Sequence, residues 1–355
     1  MSLPRPRGAL SDAVLAALRR PVHALAPPAV PVSADAVGDE DLQLALYCCY
    51  ELHYRGLPGV DEAWEWEPSL LAVRRELEAS FEAGVVALAG PPAAVAPVPA
   101  EEVDVALRVI ADGDDGPSLS KHLERHGTLP QLHEFLVHRS AYQLKEADPH
   151  AWVIPRLWGP PKAALVEIEA DEFGGGRPDR VHAHLFARAM AAMGLDARYG
   201  AYLEHIPAVT LATVNLMSML GLHRRRRGAV VGHLALFEMT SSLPNRRYGN
   251  AARRLGFDSE AATAFFDEHV EADAVHESVA AVDLAGGLVR QEPALVHDLL
   301  WGAHALAALE RRWAEHLLES WAAGRSSLRV PLAEPALAWS SSRRRTSSSM
   351  TSPAR

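Results

Sequence analysis

The segment FFDEHVEADAVHESVAAVDLA, starting at Phe265, carries two imidazoles and a carboxylate in helical register. His269, Asp273 and His276 stand at i, i+4 and i+7, and at about 100° per residue they share one narrow stripe of a helix. Two histidines and one carboxylate form a ligand set that leaves positions open for oxygen on non-haem iron(II). Alone, such a triplet is more often a solvated stripe, because His, Asp and Glu are common on exposed helix faces. Phe266, Val270, Val275, Val279 and Val282 provide the same helix with apolar residues for packing, so it is expected to be amphipathic.

A second cluster lies in DEFGGGRPDRVHAH, from Asp171 to His184. A carboxylate pair ends one helix, three glycines and Pro178 break it, and a new helix opens with His182 and His184. The break would let Glu172 and His182 approach one metal from either side; the plainer alternative is a flexible loop with surface histidines. Asp171, Glu169 and His184 are close enough in sequence to substitute for either residue. A third element, GHLALFEMTSSLPNRRY, places Glu238 late in a strongly apolar helix, where a carboxylate is costly to bury unless it is paired or holds a cation. Arg246 and Arg247 are alternative partners for Glu238, and His233 is expected to point elsewhere. Together these segments hold three carboxylates and three histidines, an apt inventory for two iron ions.

Other titratable pairs point to structural roles. Glu134 and His138 are one turn apart, more typical of a surface pair than of accessory ligands. Glu51 and His53 diverge on a helix, and the run Arg224–Arg227 reads as a charged helix end more readily than as an anion site. There is no P-loop, no G-x-G-x-x-G after a strand and no G-x-S-x-G elbow. Paired cysteine motifs for zinc are absent, as is the pair of Glu-x-x-His motifs used by ferritin-like di-iron bundles.

The elements that must position these residues are helical. Of the 355 residues nearly half are apolar, Ala and Leu dominate, and strand formers are sparse. Helices are expected over Asp39–Tyr54, Pro68–Ala83, Leu129–Glu146, Lys162–Phe173, Asp179–Met193, Ala208–Leu220, Gly228–Thr240, Ser259–Leu284 and Ala294–Ala322. GPPAAVAPVP, from Gly90, reads as a linker. A net charge of -10 argues against a general nucleic-acid binder. No segment reaches the roughly 18 to 20 uninterrupted apolar residues of a membrane span. Cys48 and Cys49 are adjacent, with no other cysteine to pair, which suits a reducing cytoplasm.

The ordered set Glu172…His182…Glu238…His269-x-x-x-Asp273-x-x-His276 resembles the haem-oxygenase-like di-iron oxidases and oxygenases, often called iron-containing redox enzymes. The segments HEFLVHRSAYQLKEADPHAWVIPRL, DEFGGGR and DEHVEADAVHE are similar to that group as well, and the resemblance spans roughly residues 117–325. It implies an all-α, haem-oxygenase-like helical bundle that binds no haem. It further implies Glu172, His182, Glu238, His269, Asp273 and His276 as six ligands to two iron ions that cycle between iron(II) and iron(III), with Glu172 or Glu238 as the bridge.

Four segments are therefore expected: a loosely ordered N-terminus (1–35), an N-terminal helical extension (36–116), the di-iron core (117–325) and a disordered basic, Ser-rich tail (326–355). The expected function is a cytoplasmic oxidoreductase that uses O2 as co-substrate and an external reductant, or a redox partner, to oxidise a small molecule. N-oxygenation of an amine in natural-product biosynthesis is favoured. Desaturation, C–C cleavage or oxidative decarboxylation of an amino or fatty acid is the alternative, and a non-catalytic metal-binding helical protein is the reading from another class. No nucleic-acid or membrane partner is expected; a homodimer is compatible with the sequence.

Overall fold

The computed structural model describes residues 3–26, 33–94, 96–113 and 115–333, and within them the side chains of all but residues 273 and 274. Among these residues there is no strand. The N-terminal half carries α1 (Ala9–Leu18), α2 (Glu40–Glu51), α3 (Pro68–Ala89), α4 (Val103–Asp112), α5 (Leu119–Arg125), α6 (Leu129–Gln143), α7 (Asp148–Ala151) and α8 (Gly159–Glu172). The remainder carries α9 (His182–Ala192), α10 (Ala208–Leu222), α11 (Arg227–Arg254), α12 (Glu260–Ser278), a π-helix (Val279–Gly286), α13 (Gly287–Gln291) and α14 (Val296–Ala322). No described helix is long and apolar enough to cross a membrane.

Local chemistry accounts for several of these boundaries. The Asp39 carboxylate accepts from the backbone N–H groups of Asp41 and Leu42, satisfying donors that the first turn of α2 leaves open. Thr128 and Gln131 form a reciprocal capping box at the start of α6. The expected helix from Gly228 to Thr240 instead runs on through Pro244 to Arg254 as α11. Proline removes one helical donor there, but Tyr248, Gly249, Ala251 and Ala252 are all buried beyond it, and that packing outweighs the lost bond.

The long helices α11 and α14 cross at their glycines. A Cβ on Gly232 would sit 1.8 Å from the Leu299 carbonyl oxygen, and one on Gly302 would sit 1.9 Å from that of Ala229. Only glycine permits this approach. The N-terminal extension is sewn to the rest through α2 and α10, where Asn215 Nδ2 donates to the Gln43 backbone carbonyl (2.9 Å) and to Gln43 Oε1 (2.8 Å).

Two segments expected to be loose are packed. Residues 9–18 form α1, whose Leu10, Val14, Leu15 and Leu18 are buried against α2, and that packing orders a helix too short to stand alone. Ser327 and Leu328, at the start of the expected disordered tail, are buried too. The rest of that tail, from residue 334, lies outside the described residues.

Candidate metal centre

Four buried groups converge from α8, α9, α12 and the turn after α6. One ligand atom from each of Glu146, Glu172, His182 and His269 lies within 4.8 Å of the others, and the same holds for Glu172, Glu238 and His276. Glu172 belongs to both sets. A carboxylate has two oxygens and can face two cations at once. Of the two expected bridges, Glu172 therefore has the shared position, while Glu238 belongs only to the group with Glu172 and His276.

The glycine break does what its conformations allow. Gly174, Gly175 and Gly176 have φ of 72°, 59° and 78°, left-handed values that a side chain disfavours. They turn the chain sharply after α8 and return it at the start of α9, placing His182 Nδ1 2.9 Å from Glu172 Oε2. Across the centre, His269 Nε2 lies 3.5 Å from Glu146 Oε1 and His276 Nδ1 lies 3.4 Å from Glu238 Oε2. His269 donates through Nδ1 to the Phe265 carbonyl at 2.7 Å, which leaves the Nε2 lone pair directed at the cluster. The π-helix begins three residues after His276, a widened turn of the kind that recurs beside functional sites.

The electrostatics are those of buried carboxylates and imidazoles held close together. Burial pushes the Glu172 carboxyl up, but His182, His269 and His276 outweigh it and hold it well below the usual carboxylate range. Burial lowers His276, yet Glu238, Asp171 and Glu172 bring it up to about 9; His182 is raised by Glu172 against its own burial. Glu146 is raised by burial, partly offset by His269. Glu169, one turn before Glu172, is pushed up to about 9 by burial and by the charges of Glu172 and Glu238. Buried Glu146 Oε2 has no hydrogen-bond partner, while His182 Nδ1 and His276 Nδ1 meet Glu172 and Glu238 as ion pairs outside hydrogen-bond geometry. Buried imidazole nitrogens and carboxylate oxygens that converge without well-formed hydrogen bonds fit a metal ion, and this mixed N/O donor set suits iron.

Not every residue singled out in the sequence is in the cluster. The Asp273 side chain lies outside the described residues. Asp171 is 62% exposed and touches the centre only through His276 Nε2, at 3.1 Å. His184 is exposed on α9. Glu134 and His138 are neither ligands nor a surface pair. His138 is buried between Thr210 Oγ1 (2.6 Å) and Ser327 Oγ (3.0 Å), and Ser327 donates through its hydroxyl and its backbone N–H to Glu134. His233 turns its ring to His150, Nδ1 to Nε2 at 3.3 Å. Arg247 lies beside Ser120 and Glu124 rather than Glu238. The arginine run is consumed in ion pairs: Arg225 and Arg226 with Glu82, Arg226 with Asp298, and Arg227 with Glu292. Val275 and Val282, expected to pack, are exposed; α12 packs through Ala262, Phe265 and Phe266 instead.

Glu146 is the member that the spacing did not single out. It was expected at the end of a helix reaching from Leu129, but α6 stops at Gln143 and Glu146 stands in the turn beyond it. A turn has no periodicity from which to read the side chain's direction.

A family model described as "iron-containing redox enzyme" matches residues 133–311, just over half of the chain. That span contains Glu146, Glu172, His182, Glu238, His269 and His276. No curated protein matches. The strand-free helical architecture of the described residues is that of a haem-oxygenase-like bundle. On the span of the match, the chain belongs to the iron-containing redox enzyme family.

Proposed function

We propose that the chain is a non-haem di-iron oxygenase and that it oxidises the nitrogen of a small amine. The observation that carries the di-iron reading is the sharing of Glu172 between two buried ligand groups. Bound iron, returned to iron(II) by an external reductant, supplies the electrons and coordination sites for O2 activation. Glu146, Glu172, His182 and His269 would hold one ion and Glu172, Glu238 and His276 the other.

A chamber of about 230 Å³ adjoins the centre, with Phe135, Phe186, Phe265, Phe266 and Trp313 among its walls. Phe237 and Ser241 line both this chamber and the small cavity among Glu146, Glu172, Glu238 and His269. Phe265, on the chamber wall, packs its ring 4.4 Å from that of His269, so the chamber lies next to the candidate ligands. The charges on the wall are compensated: Arg139 pairs with Glu310 through two bonds of 2.9 and 2.7 Å and lies over the Trp313 ring at 4.0 Å. Gln143, one turn before Glu146, presents a buried Oε1 with no hydrogen-bond partner. An acceptor on an apolar, charge-compensated wall suits an N–H donor and opposes a carboxylate. Apolar walls with one polar handle orient a ligand as small-molecule sites generally do.

Anaerobic titration with iron(II), followed by oxygen and a panel of amines, amino acids and fatty acids, tests this reading. Two irons per chain and an N-oxygenated amine product are expected. Turnover of fatty acids alone would replace the amine reading with the aliphatic-acid alternative. Unchanged iron binding in His269→Ala and His276→Ala would remove the site altogether.

A further inference from the structure

The turn that carries Glu146 is held from outside the span shared with the family. Lys145 is only 1% exposed, and its Nζ lies 3.1 Å from Oε2 of Glu51, at the end of α2, which is 0% exposed. The second oxygen of Glu51 accepts from the Tyr199 hydroxyl at 2.6 Å. The ammonium also faces the rings of Tyr54 and Tyr47, at 4.1 and 5.0 Å. A lysine buried this deeply is tolerated only with such partners. Four residues after Glu51, Arg55 donates through Nη2 to the Leu144 carbonyl at 2.8 Å. The two residues preceding Glu146 are thus both tied to the N-terminal extension.

The residue after Glu146 is equally constrained. Ala147 has φ of 72°, the only positive φ of a non-glycine residue among the described residues. A left-handed alanine is strained and persists where its surroundings impose it. The other five ligands, Glu172, His182, Glu238, His269 and His276, stand on helices whose backbone hydrogen bonds orient them; Glu146 has a turn alone. Its neighbours' anchors therefore take over the role that helical register plays for the others.

We infer that Glu51 and Arg55 are positioning residues of the metal centre: by gripping Lys145 and Leu144 they aim Glu146 at His269, and so set the affinity of the Glu146–His182–His269 half of the site. This inference rests on the di-metal reading. It also makes the N-terminal extension, outside the family match at residues 133–311, an integral part of the centre.

The test is anaerobic cobalt(II) titration of the full chain, read by visible absorption and by bound metal per chain, with circular dichroism to verify folding. Glu51→Gln and Arg55→Ala are expected to keep one cation at wild-type affinity and to weaken the other about 10- to 100-fold, the range typical when a partner behind a ligand is lost. Arg55→Lys, which can still donate to the Leu144 carbonyl, is expected to recover part of the loss. Glu146→Gln serves as the reference. If Glu146→Gln loses one cation while folded Glu51→Gln and Arg55→Ala bind two as the wild type does, the positioning role is wrong and the di-metal reading survives. If Glu146→Gln itself binds two cations unchanged, the Glu146 half of the site fails, and the inference with it. Should Glu51→Gln not fold, the exposed Arg55 and its two variants decide the question.

Discussion

His276 is held between two carboxylates: its Nε2 donates to Asp171 Oδ2 at 3.1 Å, and its Nδ1 faces Glu238 Oε2 at 3.4 Å. The outer bond turns Nδ1 inward, so that loss of its proton presents a lone pair to the cluster, the arrangement by which carboxylates tune metal-bound histidines. Asp171 is 62% exposed and buried His276 keeps Glu238 as a partner, so removing Asp171 leaves no buried charge unpaired. Asp171→Asn is expected to leave the unfolding midpoint nearly unchanged and to weaken iron(II) binding about 10- to 100-fold. Parallel urea unfolding and anaerobic iron titration check both parts; equal iron affinity in the two proteins would show that the bond has no tuning role.

Metal binding is expected to rise with pH. Below a pKa of about 9, His276 carries a proton that a cation must displace, and Glu169, one turn before Glu172, keeps its own over the same range. Each proton released on binding changes the apparent affinity about tenfold per pH unit. Calorimetric titration in buffers of different ionisation enthalpy, between pH 6 and about 9, should show proton release together with tightening affinity. An affinity flat across that window would contradict the protonation of His276 in the metal-free protein.

The stability of the metal-free protein should run the opposite way. His276 is raised in the folded state, so its ion pairs stabilise fully below its unfolded pKa of about 6.5 and are lost as pH rises through about 9. Glu169, also raised, prefers its proton and disfavours the folded state increasingly from its unfolded pKa of about 4.3 up to about 9. Glu172 is held low, so its contribution is present above its unfolded pKa of about 4.3 and is lost only as pH falls below that. Thermal melts of metal-free protein are expected to peak at about pH 4.3, to decline above it and to fall more steeply between about 6.5 and about 9. Bound metal should reverse the alkaline decline, since cations bind the folded state.

The glycine break offers a graded test. A Cβ on Gly174 would meet the Arg180 carbonyl carbon and the Val181 nitrogen, both at 2.7 Å, whereas one on Gly175 meets open space. Gly175→Ala should cost about 1 kcal/mol from its left-handed φ. Gly174→Ala adds backbone collision, should cost about 2–3 kcal/mol more, and should displace His182 enough to weaken metal binding. Denaturant unfolding with and without iron separates the effects; equal costs would mean that the break is not tightly packed.

On the proposed amine reading, Gln143 is expected to favour amine over acid substrates. Gln143→Glu keeps an acceptor on the chamber wall and should retain amine binding, while Gln143→Leu should weaken it about 10-fold through loss of one hydrogen bond. Steady-state kinetics should place the loss in KM more than in kcat. A Gln143→Leu variant with unchanged amine KM would remove the residue from substrate binding.

The sequence by itself determined the helical class and the half of the centre that is written in periodicity. His269 and His276 are two turns apart on α12 and share a face because a helix repeats every ~3.6 residues. The glycine run between Glu172 and His182 announced a reversal, since only glycine takes three left-handed φ values in succession at little cost. Which neighbours each face would meet was a tertiary matter. Glu134 and His138 are as well spaced as any ligand pair, yet their surroundings are Ser327, Thr210 and Trp321, and they staple the chain after α14 instead. Glu146 lies in a turn, where no repeat directs the side chain, and its place comes from Glu51 and Arg55, roughly 90 residues earlier in the chain. The sharing of Glu172, and not Glu238, between the two groups likewise depends on where the end of α8 meets side chains from α9, α11 and α12, because a carboxylate bridges only when both sets of donors reach its two oxygens.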